Sequence, residues 1–165
     1  MRNRIWNNLY NIKFKALYTC ECSRRAESYS RLYSLFLALS SAGSIATWAI
    51  WKQIPSAWAS LIAVSQILHV AKPYFPFIKN DKVFLEMSYE FESLYIEFEK
   101  LWYSFEEGKI TNDEVAKKFY ELRDKEISIE KIHQVHCPDI IKWKLKINEA
   151  TDAAIALNFK QGTRQ

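Results

Sequence analysis

The sequence predicts an all-α membrane protein: a two-helix transmembrane hairpin with an N-terminal amphipathic helix and a C-terminal three-helix cytoplasmic bundle. Three observations carry that expectation. Residues 32–51 hold 20 consecutive positions without Asp, Glu, Lys, Arg or His. Residues 53–71 add 19 more whose only titratable group is His69. Beyond residue 82, apolar residues recur at alternating spacings of three and four, the signature of helical seams. The chain is accordingly divided into a basic amphipathic helix (1–31), a transmembrane hairpin (32–71), a linker (72–81) and a cytoplasmic helical domain (82–165).

Whole-chain averages hide this division. Hydrophobic content is 49% and mean hydropathy is −0.23, values that suit a soluble domain. The formal charge of +4 is too small to imply nucleic acid, and no direct contact with duplex nucleic acid is expected. Its placement says more, because Arg2, Arg4, Lys13, Lys15, Arg24, Arg25 and Arg31 precede the first apolar run against only Glu21 and Glu27. That run starts too late and is too long for a signal peptide, and a second run follows it. Three cysteines, Cys20, Cys22 and Cys137, have no disulfide-framework spacing and suit a reducing compartment.

In residues 4–27, Ile5, Leu9, Ile12 and Ala16 form one stripe beside Trp6 and Leu17. The pattern suits two placements, on an anionic cytoplasmic leaflet or packed on the cytoplasmic bundle.

A helix rises about 1.5 Å per residue, so the first apolar run reaches roughly 30 Å, the thickness of a bilayer core. The second, from Ile54 to Ala71, just reaches. Neither has the charged stripe of a water-facing helix. Tyr33, Trp48, Trp51, Trp58, Tyr74, Phe75 and Phe77 flank the runs as aromatic belts. Lys72, Lys79 and Lys82 follow them, whereas only Lys52 lies in the turn, which places both termini in the cytoplasm. Small residues at Ser34, Ala38, Ala42 and Ala46, with Gly43 and Thr47 beside them, form a helix-packing face. Ser56, Ala59, Ser60 and Ala63 continue it on the second helix. Two helices enclose little interior, so these faces are expected to meet other copies of the chain. Gln66 and His69 share a face, with Ser65 at its edge. Polar groups in lipid need protein or water, so these three either line a pore or hydrogen-bond a neighbouring helix.

After Pro73 and Pro76, the residues Phe84, Met87, Phe91, Leu94, Phe98, Leu101 and Phe105 form a seam that Gly108 caps. Thr111 to Glu114 form a capping box that starts the next helix, whose stripe is Val115, Phe119, Leu122, Ile129 and Ile132. Pro138 marks the start of the last, with Ile140, Trp143, Ile147, Ala150, Ala154 and Leu157 at heptad spacing. The long seam helix is glutamate-rich and the last carries Lys142, Lys144 and Lys146. These charges are expected to pair with each other, or the lysines to contact a ligand or partner.

His133, His136 and Cys137, with Cys20 and Cys22, come nearest to a metal constellation, but helix-end roles fit them better and no metal or cofactor is expected. No nucleophile elbow, metalloprotease helix or phosphate loop is present, and the glutamates are spaced for a solvated face, so an enzyme is not expected.

The lead-in CSRRAESYSRL (residues 22–32 after Glu21), the serine- and alanine-rich hairpin and the pattern Trp102 to Glu114, WYSFEEGKITNDE, together resemble the SLATT proteins. These are two-transmembrane effectors associated with nucleotide-signalling systems in bacterial anti-phage defence. The resemblance implies a homo-oligomer, such as a tetramer, in the bacterial inner membrane that conducts ions and depolarises the infected cell. It also implies a regulator, either a nucleotide-synthesising enzyme or its nucleotide product. The competing expectation is a membrane-anchored helical module that docks a cytoplasmic enzyme.

Overall fold

The computed structural model describes residues 1–46, 55–71, 76–133 and 137–160. The expected turn with Trp48, Trp51 and Lys52, the expected membrane exit at Lys72 to Phe75, and His136 lie outside the described residues. So do the side chains of Ala42, Ala46 and Trp58. Among the described residues every regular element is helical: α1 (Arg2–Ala46), α2 (Pro55–Ala71), α3 (Pro76–Lys79), α4 (Asp81–Glu106), α5 (Asn112–His133) and α6 (Ile141–Lys160). The all-α class follows. Among the described residues, no helix is long and apolar enough to cross a membrane. α2 has 17 residues, and α1 is described only to Ala46, short of the end of the first apolar run at Trp51.

No Gly or Pro interrupts residues 1–42, so nothing local breaks α1, and it passes through residue 31 as one helix. Backbone proximity groups Met1–Ser23 with Lys82–Gln165 as one compact unit and Arg24–Asp81 as another.

The first unit is a four-helix bundle, with residues 2–23 of α1 as the fourth member beside α4, α5 and α6. Paired positions give the directions. Glu90 meets His133 and Glu97 meets Lys125, so α4 and α5 are antiparallel. Arg2 meets Glu106 and Lys13 meets Glu92, so α1 opposes α4. Trp6 meets Phe159 and Tyr10 meets Asp152, so α1 also opposes α6. α1 and α5 therefore run one way, α4 and α6 the other.

α4 supplies the centre. Its predicted seam is buried from Phe84 through Leu101, with Phe98 at 0% exposure, and each such side chain contributes roughly 1.5–3 kcal/mol. The Phe98 and Phe119 rings meet edge to face, with centroids 6.0 Å apart. From α1, Ile5, Leu9, Ile12 and Ala16 enter the same core. An apolar stripe of that kind can lie on lipid or on protein; here it lies on protein, because α4, α5 and α6 leave a groove of matching hydrophobic character.

Two local signals set the helix ends. Gly108 has φ +65°, and the amides of Gly108 and Lys109 donate to Phe105 O (3.1 Å) and Ser104 O (3.0 Å), a Schellman cap. Thr111 and Glu114 bond reciprocally: the Thr111 amide donates to Glu114 Oε2 at 2.9 Å and the Glu114 amide donates to Thr111 Oγ1 at 3.4 Å.

α6 departs from the heptad expectation. Its buried positions are Ile147, Thr151 and Ile155, whereas Ala150 is exposed and Leu157 is 65% exposed. The helix turns about 100° per residue, so positions four apart share the inner face, and Thr151 enters it by donating its hydroxyl to Ile147 O at 2.7 Å. On α5, Ile132 is likewise exposed.

Candidate functional site

The second unit contains the sequence-predicted site. Within it, α1 and α2 are tied by the Tyr33 hydroxyl, which donates to Leu68 O at 2.9 Å. Tyr29 meets Phe77 edge to face at 6.3 Å, joining α1 to α3. α2 begins at Pro55, where a missing amide costs nothing.

Outside these ties the two helices present apolar side chains outward. Leu32, Leu35 and Leu39, at spacings of three and four, are 64%, 56% and 64% exposed. On α2, Ile62, Val64, Ile67 and Val70 are exposed as well. Positions 62, 63, 64, 66 and 67 are all outward, which covers about 200° of the helix circumference at 100° per residue. A water-soluble helix places its large aliphatic side chains the other way.

Two of the serine hydroxyls of α2 are satisfied within the helix. Ser60 donates to Ser56 O at 2.9 Å and Ser65 to Ile62 O at 2.8 Å, so neither serine needs water. Among the polar candidates, Gln66 and His69 are exposed, whereas Ser65 is buried within the unit. Ser34, Ala38, Ser60 and Ala63, expected as helix-packing residues, are exposed in the single chain. The leucine face at 32, 35 and 39 follows an i, i+3, i+7 pattern in the sequence, interleaved with the small-residue repeat.

In the first unit the charges pair differently from the expectation. The α4 carboxylates meet cations of α1 and α5: Glu92 with Lys13 (2.6 Å), Glu106 with Arg2 (2.8 Å) and Glu97 with Lys125 (2.6 Å). On α6, Lys144 meets Asp139 at 2.7 Å, while Lys142 and Lys146 are exposed. The Lys144 ammonium is held above the usual lysine range by its hydrogen bond to Asp139. His133 Nε2 lies 2.9 Å from Glu90 Oε2. Among the described residues no group of three or more His, Cys, Asp or Glu could hold a metal ion.

The arrangement as a whole offers an apolar, outward-facing helix pair with two exposed polar side chains, carried on a chain whose other unit is a charge-laced bundle. No protein-family model, curated protein or solved structure matches the chain.

Proposed function

We propose that the chain is an oligomeric pore-forming or ion-conducting effector of the bacterial inner membrane, with both termini cytoplasmic. The observation that carries this reading is the outward aliphatic surface of α1 and α2. Seven large apolar side chains from Leu32 to Val70 are 38% to 67% exposed in the single chain, and lipid or other copies of the hairpin are the media that favour them. The two apolar runs to which α1 and α2 belong, residues 32–51 and 53–71, supply the hydrophobic length that this reading needs. Ser34, Ala38, Ala42, Ala46, Ser60 and Ala63 bring hairpins together, and Gln66 and His69 line the path, with Ser65 toward the packing side. The resemblance to SLATT effectors supports a role in anti-phage defence, with gating by a partner enzyme or its nucleotide product.

Purified chain in liposomes tests this. A dye or ion leak from vesicles that hold a detergent-stable oligomer is expected, and its loss in Gln66→Leu with His69→Leu. Fractionation that leaves the chain in the aqueous supernatant after high-salt washing would refute the membrane reading altogether.

A second reading is a membrane-anchored docking module. The exposed Lys142 and Lys146 beside Lys144 favour it as an anionic-partner surface. In that case the Gln66 and His69 substitutions are silent, and reversing the three lysine charges abolishes capture of the partner enzyme.

A further inference from the structure

Cys22 and Cys137 lie far apart in the chain and are brought together by one tyrosine. Tyr18 and Cys22 are one turn apart on α1 and share its face. The Tyr18 hydroxyl donates to Pro138 O and accepts from the Ile140 amide at 3.3 Å, fixing the segment that leads into α6. Cys137 immediately precedes Pro138, so the Tyr18 tie brings it beside the turn of α1 that carries Cys22, and the two thiols are close enough to interact. Both are free thiols; Cys22 is fully buried and Cys137 half-buried. Cys137 also lines a cavity of about 260 Å³ with Phe14, Tyr18, Met87 and Phe91. Cys20, exposed, sits about 200° around α1 from Cys22 and stands outside this pair.

We propose that Cys22 and Cys137 are an oxidisable pair that closes into a disulfide under peroxide and staples α1 to the start of α6. In the first step Cys137 Sγ, reached through the cavity, attacks a peroxide oxygen. The O–O bond breaks, the hydroxide leaving takes up the thiol proton as water, and Cys137 becomes a sulfenic acid. In the second step Cys22 Sγ attacks that sulfur, the S–O bond breaks, and the hydroxyl leaves with the Cys22 proton as a second water. Two thiols and one hydrogen peroxide thus give one disulfide and two waters. Hydrogen bonding with the Cys22 thiol, together with burial, pushes the Cys137 thiol well above its ordinary range, so closure is slow at neutral pH and quickens as pH rises. The proposal stands on the bundle alone and is independent of the membrane reading.

The full chain carrying Cys20→Ser, which removes the exposed thiol, is treated with hydrogen peroxide and digested with trypsin without reduction. The expected product joins the peptide 16–24 to the peptide 132–142, two hydrogens lighter than their sum. It forms faster at pH 9 than at pH 7, disappears on reduction, and is absent when Cys22 or Cys137 is also changed to Ser. The oxidised protein has a higher Tm than the reduced one. Recovery of both cysteines as alkylatable thiols, as separate sulfinic or sulfonic acids, or only in disulfides between chains overturns the proposal.

Discussion

Lys15 Nζ stands 2.5 Å from Oε1 of Glu126, a carboxylate whose side chain is only 4% exposed. Arg123 bonds the other Glu126 oxygen, and Glu130 takes a second contact from Lys15 at 2.6 Å. One cation of α1 thereby neutralises an acid that α5 has committed to the interior. Burial alone would lower the Lys15 ammonium, but its bonds to Glu126 and Glu130 more than offset that and hold it above the usual lysine range. Lys15→Met is expected to cost about 1–2 kcal/mol at pH 7, the lower end reflecting the partial exposure of Lys15. The folded value lies above the unfolded one, so this contribution is complete below about pH 10.4 and vanishes as pH rises through the folded value. Chemical unfolding of wild type and variant in detergent checks both statements; a gap that persists unchanged well above the lysine range contradicts the second.

Gly108→Ala is expected to cost about 1 kcal/mol, because the left-handed φ of +65° is strained for a side chain. A Cβ there meets nothing within 4 Å, so backbone strain is the whole effect and Gly108→Asn should cost less. Equal unfolding midpoints for the Ala variant and wild type would falsify the cap.

Thr111→Ala should cost about 1 kcal/mol by removing the acceptor for the Glu114 amide. Glu114 is held below the usual carboxylate range, first by the Thr111 backbone amide and then by the Thr111 hydroxyl. Its folded value is the lower one, so its contribution is present above about pH 4.3 and is lost as pH falls through the folded value. Protection of the amides of residues 111–115 against hydrogen exchange, corrected for the intrinsic pH dependence of exchange, should fall on acidification in wild type, and show no such acid step in Glu114→Gln.

The two candidate faces of α6 make opposite forecasts. Ile155 is 6% exposed and Leu157 65%, so Ile155→Ala should cost about 2–4 kcal/mol and Leu157→Ala within about 0.5 kcal/mol of nothing. Comparable losses for both would restore the heptad reading of this helix.

Leu35→Arg with Leu39→Arg places two charges on the outward face of α1. Under the membrane reading proposed above, such residues cost roughly 2.5–3.5 kcal/mol each at the centre of a membrane helix, and the double variant is expected to leave the membrane fraction. The bundle core lies elsewhere, and far-UV CD should retain its helical signal. An unchanged membrane fraction would remove this face from the lipid contact.

How much of this was legible depends on the range of the signal. The Schellman turn at Gly108, the capping box at Thr111 and the α4 seam each sit within a short window, where φ preference, side-chain reach or a 3.6-residue period decides the outcome. The Phe84 to Leu101 pattern leaves only one possible inner face. α6 was harder, because its inner face includes Thr151, a polar residue hidden by an intrahelical bond, while Leu157 mimics a core position. The charge pattern was legible but its pairing was not: glutamates on α4 can reach cations on any neighbour, and only the bundle's order selects Lys13 and Lys125.

The sequence by itself determined the helical class, the caps, the inner face of α4 and the two apolar runs with their polar residues Gln66 and His69. Those depend on local stereochemistry and on hydrophobic periodicity along one element. Tertiary structure decided that residues 2–23 of α1 complete the bundle, that Glu126 is buried against Lys15, and that Cys137 meets Cys22 through the tie at Tyr18. An amphipathic stripe specifies that a face must be covered. What covers it depends on the shape and charge of surfaces that exist only once the other helices have packed.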